Sequence, residues 1–109
     1  MRVYVSSSLN EAINSQILAY AEYRIFSALA RYPEVREAHV VLHSEEPGGA
    51  VQCAVTIEDA AGSTRASANG MQAAAAIDRA AERVSQLMRA NAGRHAHHAV
   101  GPDRSAGGP

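Results

Sequence analysis

Hydroxyls, carboxylates, histidines and arginines are the side chains here with chemistry to offer. Ser6, Ser7 and Ser8 stand in a row near the N-terminus. Leaving a strand and capping a helix explains them better than nucleophilic catalysis. Asp78 and Glu82 lie one helical turn apart, where two carboxylates can share a proton or hold a cation. Arg79 and Arg83 beside them make a solvated, mutually compensated face the stronger reading. His39 and His43 are four apart in a strand-like run, which separates them by ~13 Å, too far to chelate one ion. His95, His97 and His98 fall in a segment with nothing rigid to present them to a metal. Cys53, the single cysteine, sits among strand residues as a small buried hydrophobe and leaves no internal disulfide. There is no P-loop, dinucleotide fingerprint, nucleophile elbow or HExxH pair. The expectation is a chain that is not an enzyme, with no cofactor, no metal and no small-molecule substrate.

That leaves the arginines. Every one of the 10 basic residues is arginine, the side chain best suited to bidentate phosphate contacts. Arg24 and Arg31 fall on or near one helical stretch, Arg79, Arg83 and Arg89 on another, and Arg94 just beyond it. With both helices on one sheet, their outer sides would share a guanidinium-studded surface able to engage RNA phosphates. Glu11, Glu22, Asp78 and Glu82 on the same helices work against this. So does a formal net charge of -1, which is not that of a strongly basic nucleic-acid binder.

The elements that would position these residues can be read in order. A chain of 109 residues is one domain, and its 47% hydrophobic content, much of it alanine, predicts a thin core. Residues 2–6 alternate as a first strand. Ser8 and Glu11 form a capping box for a helix over about 9–31, with Ile13, Ile17, Ala21, Ile25, Ala28 and Tyr32 as its buried stripe and Leu18 and Leu29 at the edge. Pro33 stops it. Strands follow over 36–44, 51–58 and, more weakly, 63–68, separated by the turns Glu46-Pro47-Gly48-Gly49 and Asp59-Ala60-Ala61-Gly62. Asn69 with Gln72 has the form of a second capping box, opening a helix that ends near Asn91. Its apolar face is Ala73, Ile77, Ala80, Ala81, Val84, Leu87 and Met88.

The fold expected is α+β, a two-layer β-α-β-β-β-α sandwich with both helices on one face of a four-stranded sheet. The first strand's partner is left open. Residues 93–109 are expected to be a disordered Gly/Ala/His/Pro tail. No apolar run reaches the length of a membrane span and the N-terminus lacks a signal peptide's apolar stretch, so a cytoplasmic protein without membrane contact is expected.

The layout, with Ala38-His39-Val40-Val41-Leu42 followed by Ala75-Ala76-Ile77-Asp78 and Glu82-Arg83-Val84, resembles the ribosome hibernation-promoting factor family. That family is also called ribosome-associated inhibitor or sigma-54 modulation protein. The segment Arg24 to Tyr32 is similar to the family's basic amphipathic first helix. The resemblance covers about residues 1–92 and, with no extra C-terminal domain, corresponds to a short form. It implies a double-stranded-RNA-binding-domain-like fold and binding to ribosomal RNA of the small ribosomal subunit, in the messenger and transfer RNA channel. Translation would thereby be silenced during stress or stationary phase. Arg24, Arg31, Arg83 and Arg89 match the family's basic helix positions, and Arg79 is a candidate by geometry. The family's dense basic run at the end of the last helix is diluted here by Ser85, Gln86, Ala90 and Asn91. The alternative is a self-association module of the same fold without RNA affinity, a weak homo-oligomer using an open sheet face of Tyr4, His39, Val41, His43 and Ala54.

Overall fold

In the computed structural model, residues 1–9, 15–46 and 48–100 are described, 92–100 as backbone alone. The order is β1 (Arg2–Ser7), α1 (Ser15–Leu29), β2 (Val35–Ser44), β3 (Val51–Asp59), β4 (Gly62–Gly70) and α2 (Ala73–Val100). The strands form one sheet in the order β1-β2-β3-β4. β1 runs parallel to β2, with Val3 beside Ala38 and Val5 beside Val40, and α1 supplies the crossover that a parallel pair requires. β2, β3 and β4 form an antiparallel meander. Both helices pack on one sheet face, α1 against β1 and β2, α2 against β3 and β4.

Alternation in the strands accounts for this layering. Ala38, Val40 and Leu42 of β2 and Val51, Cys53, Val55 and Ile57 of β3 point into the core. Tyr4, His39, Thr56 and Arg65 form a cross-strand row on the opposite, uncovered face. Burial pushes the Cys53 thiol up to about 11, so it is a packing residue rather than a nucleophile. The helices contribute Ala21, Ile25 and Leu29 from α1 and Ala76, Ile77, Ala80, Ala81, Val84 and Met88 from α2. Leu29 is fully buried rather than at the edge, and Ala28 and Tyr32 are half-buried.

The β3–β4 turn is a two-residue hairpin in which Asp59 Oδ1 accepts from the amides of Ala61 (2.8 Å) and Gly62 (3.1 Å). Gly62 has φ +145° and Gly48, in the preceding turn, +74°, which is where glycine is needed.

Three helix boundaries differ from expectation. α1 ends at Leu29 instead of Arg31, its exit tightened by the Tyr32 amide donating to the Leu29 carbonyl ahead of Pro33. The Ser8–Glu11 capping box falls partly outside the described residues. Ser8 itself extends the β1–β2 pairing, its amide donating to the Leu42 carbonyl at 2.9 Å. Asn69 caps nothing: it pairs with Gln52 as part of β4, and the Gln72 carbonyl accepts the first helical bond, from Ala76. Finally, α2 does not stop at Asn91 but continues to Val100. Alanine, arginine and histidine all tolerate helix, and no proline intervenes before Pro102. Residues 101–109 of the expected tail lie outside the described residues.

One close approach fixes the β4–α2 junction. A Cβ at buried Gly70 would stand 2.6 Å from the Ala76 amide nitrogen and 2.9 Å from the Ala75 carbonyl carbon. Both are helix backbone and cannot give way independently. Gly70→Ala is expected to destabilise the fold by ~1–3 kcal/mol, seen as a lower urea midpoint at unchanged m-value.

Candidate nucleic-acid interface

The two helices lie side by side, and Arg24, Arg79, Arg83 and Arg89 lie on the surface they turn to solvent, with Arg31 just past the end of α1. On α2, Asp78, Glu82, Ser85 and Arg89 recur every three or four residues and flank α1, while Arg79, Arg83 and Gln86 flank β4. The expected single surface is therefore divided into two open grooves.

The groove between the helices is lined by Arg24, Ser27, Ala28, Ala81, Glu82, Ser85 and Arg89. At its head, Asp78 Oδ1 accepts from the Tyr20 hydroxyl at 2.5 Å and from Arg24 Nε at 3.2 Å. That hydrogen bond raises the Tyr20 phenol above its ordinary range, with burial and the Asp78 charge adding in the same direction. The cluster pins α1 to α2 and holds Arg24 in an ion pair with side chains about one-third and one-half exposed. Arg89 lines the same groove and has no hydrogen bond or ion pair among the described residues.

The second groove runs between α2 and the edge strand β4. It is bordered by Arg65, Ala66, Ser67, Arg83, Gln86, Leu87 and Ala90, and further along by Ala68, Asn69, Arg79 and Glu82, the last shared with the first groove. Arg79 donates to the Asn69 carbonyl at 2.9 Å, tying α2 to the strand it follows. Arg83 is exposed and has no hydrogen bond or ion pair among the described residues. Arg31 follows α1 in a turn, exposed.

Of the five arginines, then, Arg31, Arg83 and Arg89 have no hydrogen bond or ion pair among the described residues, whereas Arg24 and Arg79 have partners within the fold. Arg65 was missed by helix periodicity because it lies on a strand. The signal for it is topological: it lies on the edge strand that leads into α2, where it reaches the rim of the α2 groove although strand alternation assigns it to the uncovered sheet face.

Charge is segregated between the layers. The sheet strands and their connections hold Glu34, Glu37, Glu45, Glu46, Glu58 and Asp59 against Arg2, Arg31, Arg36 and Arg65, a net negative balance. Only Glu22, Asp78 and Glu82 oppose the arginines on the described helical residues, and Asp78 is already paired. A net charge of -1 is thus compatible with a helix layer that is locally cationic. Among the described residues, no group of three histidine, cysteine, aspartate or glutamate side chains is placed to hold a metal. No helix among them is long and apolar enough to cross a membrane.

No family model matches the sequence, and no curated protein matches it. Solved structures do. A ribosomal subunit interface protein from Coxiella burnetii superposes with a TM-score of 0.71 at 13% identity, covering 84% of this chain and 99% of that one. The N-terminal domain of Thermus thermophilus Protein Y superposes with a TM-score of 0.57 at 23% identity, covering 79% of this chain and 94% of that one. The chain has the fold of these proteins, a four-stranded mixed sheet carrying two helices on one face.

Proposed function

We propose that this protein is a ribosome-associated translation inhibitor of the hibernation-promoting type. It would bind the small ribosomal subunit in the messenger and transfer RNA channel and silence translation during stress or stationary phase. The observation that carries this reading is the set of exposed arginines Arg31, Arg83 and Arg89 on the helix layer, with most carboxylates placed elsewhere. The residue patterns that resemble the hibernation-promoting family support it. So does the likeness of fold to a ribosomal subunit interface protein. In mechanism the protein is a plug: guanidinium–phosphate contacts hold it, and its bulk excludes transfer and messenger RNA without any bond being made or broken. The test is competition. Pre-bound protein is expected to prevent transfer RNA from loading onto purified small subunits; simultaneous binding would contradict the channel assignment.

The ion pair at the groove head gives a second test. Asp78→Asn keeps an acceptor for Tyr20 but removes the charge that holds Arg24. Affinity for the small subunit is expected to rise about two- to fivefold at low salt. An unchanged or lower affinity would remove Arg24 from the contact set.

The self-association reading has one observation in its favour: the uncovered sheet face exposes Tyr4 at 43% and Val41 at 40%. Tyr4 is stacked on His39 with ring centroids 5.0 Å apart, but Ala54 is only 8% exposed and adds little. Light scattering that shows mass rising with concentration, regardless of RNA, would favour it.

A further inference from the structure

The outer crest of α1 carries aromatic surface that neither the core nor the arginine contacts use. Tyr23 is 66% exposed and Phe26 48%. With exposed Ala19 before them and exposed Ala30 just past the helix end, they follow an i, i+4, i+7, i+11 spacing that makes one stripe along the helix. The stripe lies on the side of α1 away from Ala21, Ile25 and Leu29, which are fully buried. It is also continuous with the interhelical groove: Ser27, one turn from Tyr23, lines that groove with Arg24 and Arg89.

We infer that Tyr23 and Phe26 are stacking platforms for unpaired RNA bases, placed beside the arginines that hold the backbone. This rests on the ribosome-binding reading and deepens it by naming single-stranded, flipped-out bases as what this part of the surface takes. Two features select that occupant. The stripe comprises two rings and two alanines, far short of the ~800 Å² per partner that a stable protein interface needs. A base needs only one ring face and a nearby cation for its phosphate. Of charged residues on the described α1 segment and just past its end, Glu22 borders the stripe one turn before Phe26, while Arg24 and Arg31 lie on the groove side, where they can hold the phosphates of stacked bases. Stacking is indifferent to base identity, because every base has a π-face.

The experiment measures binding to purified small ribosomal subunits over a potassium chloride series. It compares wild type with Tyr23→Leu/Phe26→Leu, which keeps apolar area but removes the rings, and with the conservative Tyr23→Phe/Phe26→Tyr. Both positions are exposed, and circular dichroism verifies folding. Stacking predicts that the leucine variant loses about tenfold or more in affinity at every salt concentration. Its log–log salt slope stays that of wild type, since no phosphate contact is lost, and the Phe/Tyr exchange retains binding. Wild-type affinity in the leucine variant overturns the inference while leaving the proposed function standing. Failure of the wild type itself to bind overturns both. A wild-type mass that rises with concentration, lost in Tyr23→Ala/Phe26→Ala with subunit binding intact, also overturns it and assigns the stripe to a second copy of the chain.

Discussion

Replacing Arg83 and Arg89 together with glutamate is expected to lower affinity for the small ribosomal subunit by about 100-fold or more. The two arginines border different grooves, Arg83 beside β4 and Arg89 beside α1. Both are exposed and neither is committed to a hydrogen bond or ion pair among the described residues. Their full donor capacity is therefore available to phosphate, and each charge-assisted contact contributes ~1.5–3 kcal/mol. Reversal adds repulsion from the same phosphates. The salt dependence should become shallower by nearly two units of slope, about 0.9 per lost contact. Folding should be unaffected, because neither side chain belongs to the core cluster. A variant that binds like wild type would exclude both arginines from the interface. The comparison with Arg79→Glu is informative, since Arg79 ties α2 to the Asn69 carbonyl; its loss should weaken the β4–α2 junction as well as binding.

The largest expected effect on stability comes from Ile77→Ala. Ile77 is fully buried near the start of α2, and its neighbours on the buried face include Ala76, Ala80 and Ala81. Alanines have no side-chain length with which to collapse into a void, so the cavity persists. The loss should sit within the ~2–5 kcal/mol range for such truncations, against a total stability of ~5–15 kcal/mol for ordinary domains. A fall in Tm of roughly 10 °C or more is expected by circular dichroism. A fall of less than a few degrees would mean that the two layers close over the gap. Ile25→Ala on α1 serves as a matched test from the other helix, being equally buried.

Much of the fold was legible in residue patterns because period-two and period-3.6 patterns are directly enforced by burial. The alternating apolar positions Ala38, Val40, Leu42, Val51, Cys53, Val55 and Ile57 all face the helices. Capping was less legible. An Asn-x-x-Gln pattern at Asn69 can cap a helix or close a strand, and the pairing of Asn69 with Gln52 decided for the strand. The partner of β1 could not be read from local pattern at all; it is set by the crossover through α1. The end of α2 is not legible because the apolar period stops near Asn91 in a glycine- and alanine-rich stretch, whereas the helix backbone continues to Val100.

The site was legible in composition but not in wiring. The arginines of the helices could be named from periodicity. Their division between two grooves, the capture of Arg24 by Asp78 and the presence of Arg65 beside α2 all depend on long-range neighbours. Charge segregation between sheet and helix layers likewise follows only once the order of strands is known. It reconciles a slightly acidic chain with the locally cationic helix layer on which the proposed function rests.

Sedimentation with purified small subunits across a salt series bears most directly on the proposal that the helix layer holds ribosomal RNA by phosphate contacts. The expected result is co-migration with the small subunit at low salt that falls steeply, and linearly in log–log form, as salt rises. Protein that stays at the top of the gradient at the lowest salt would contradict the account.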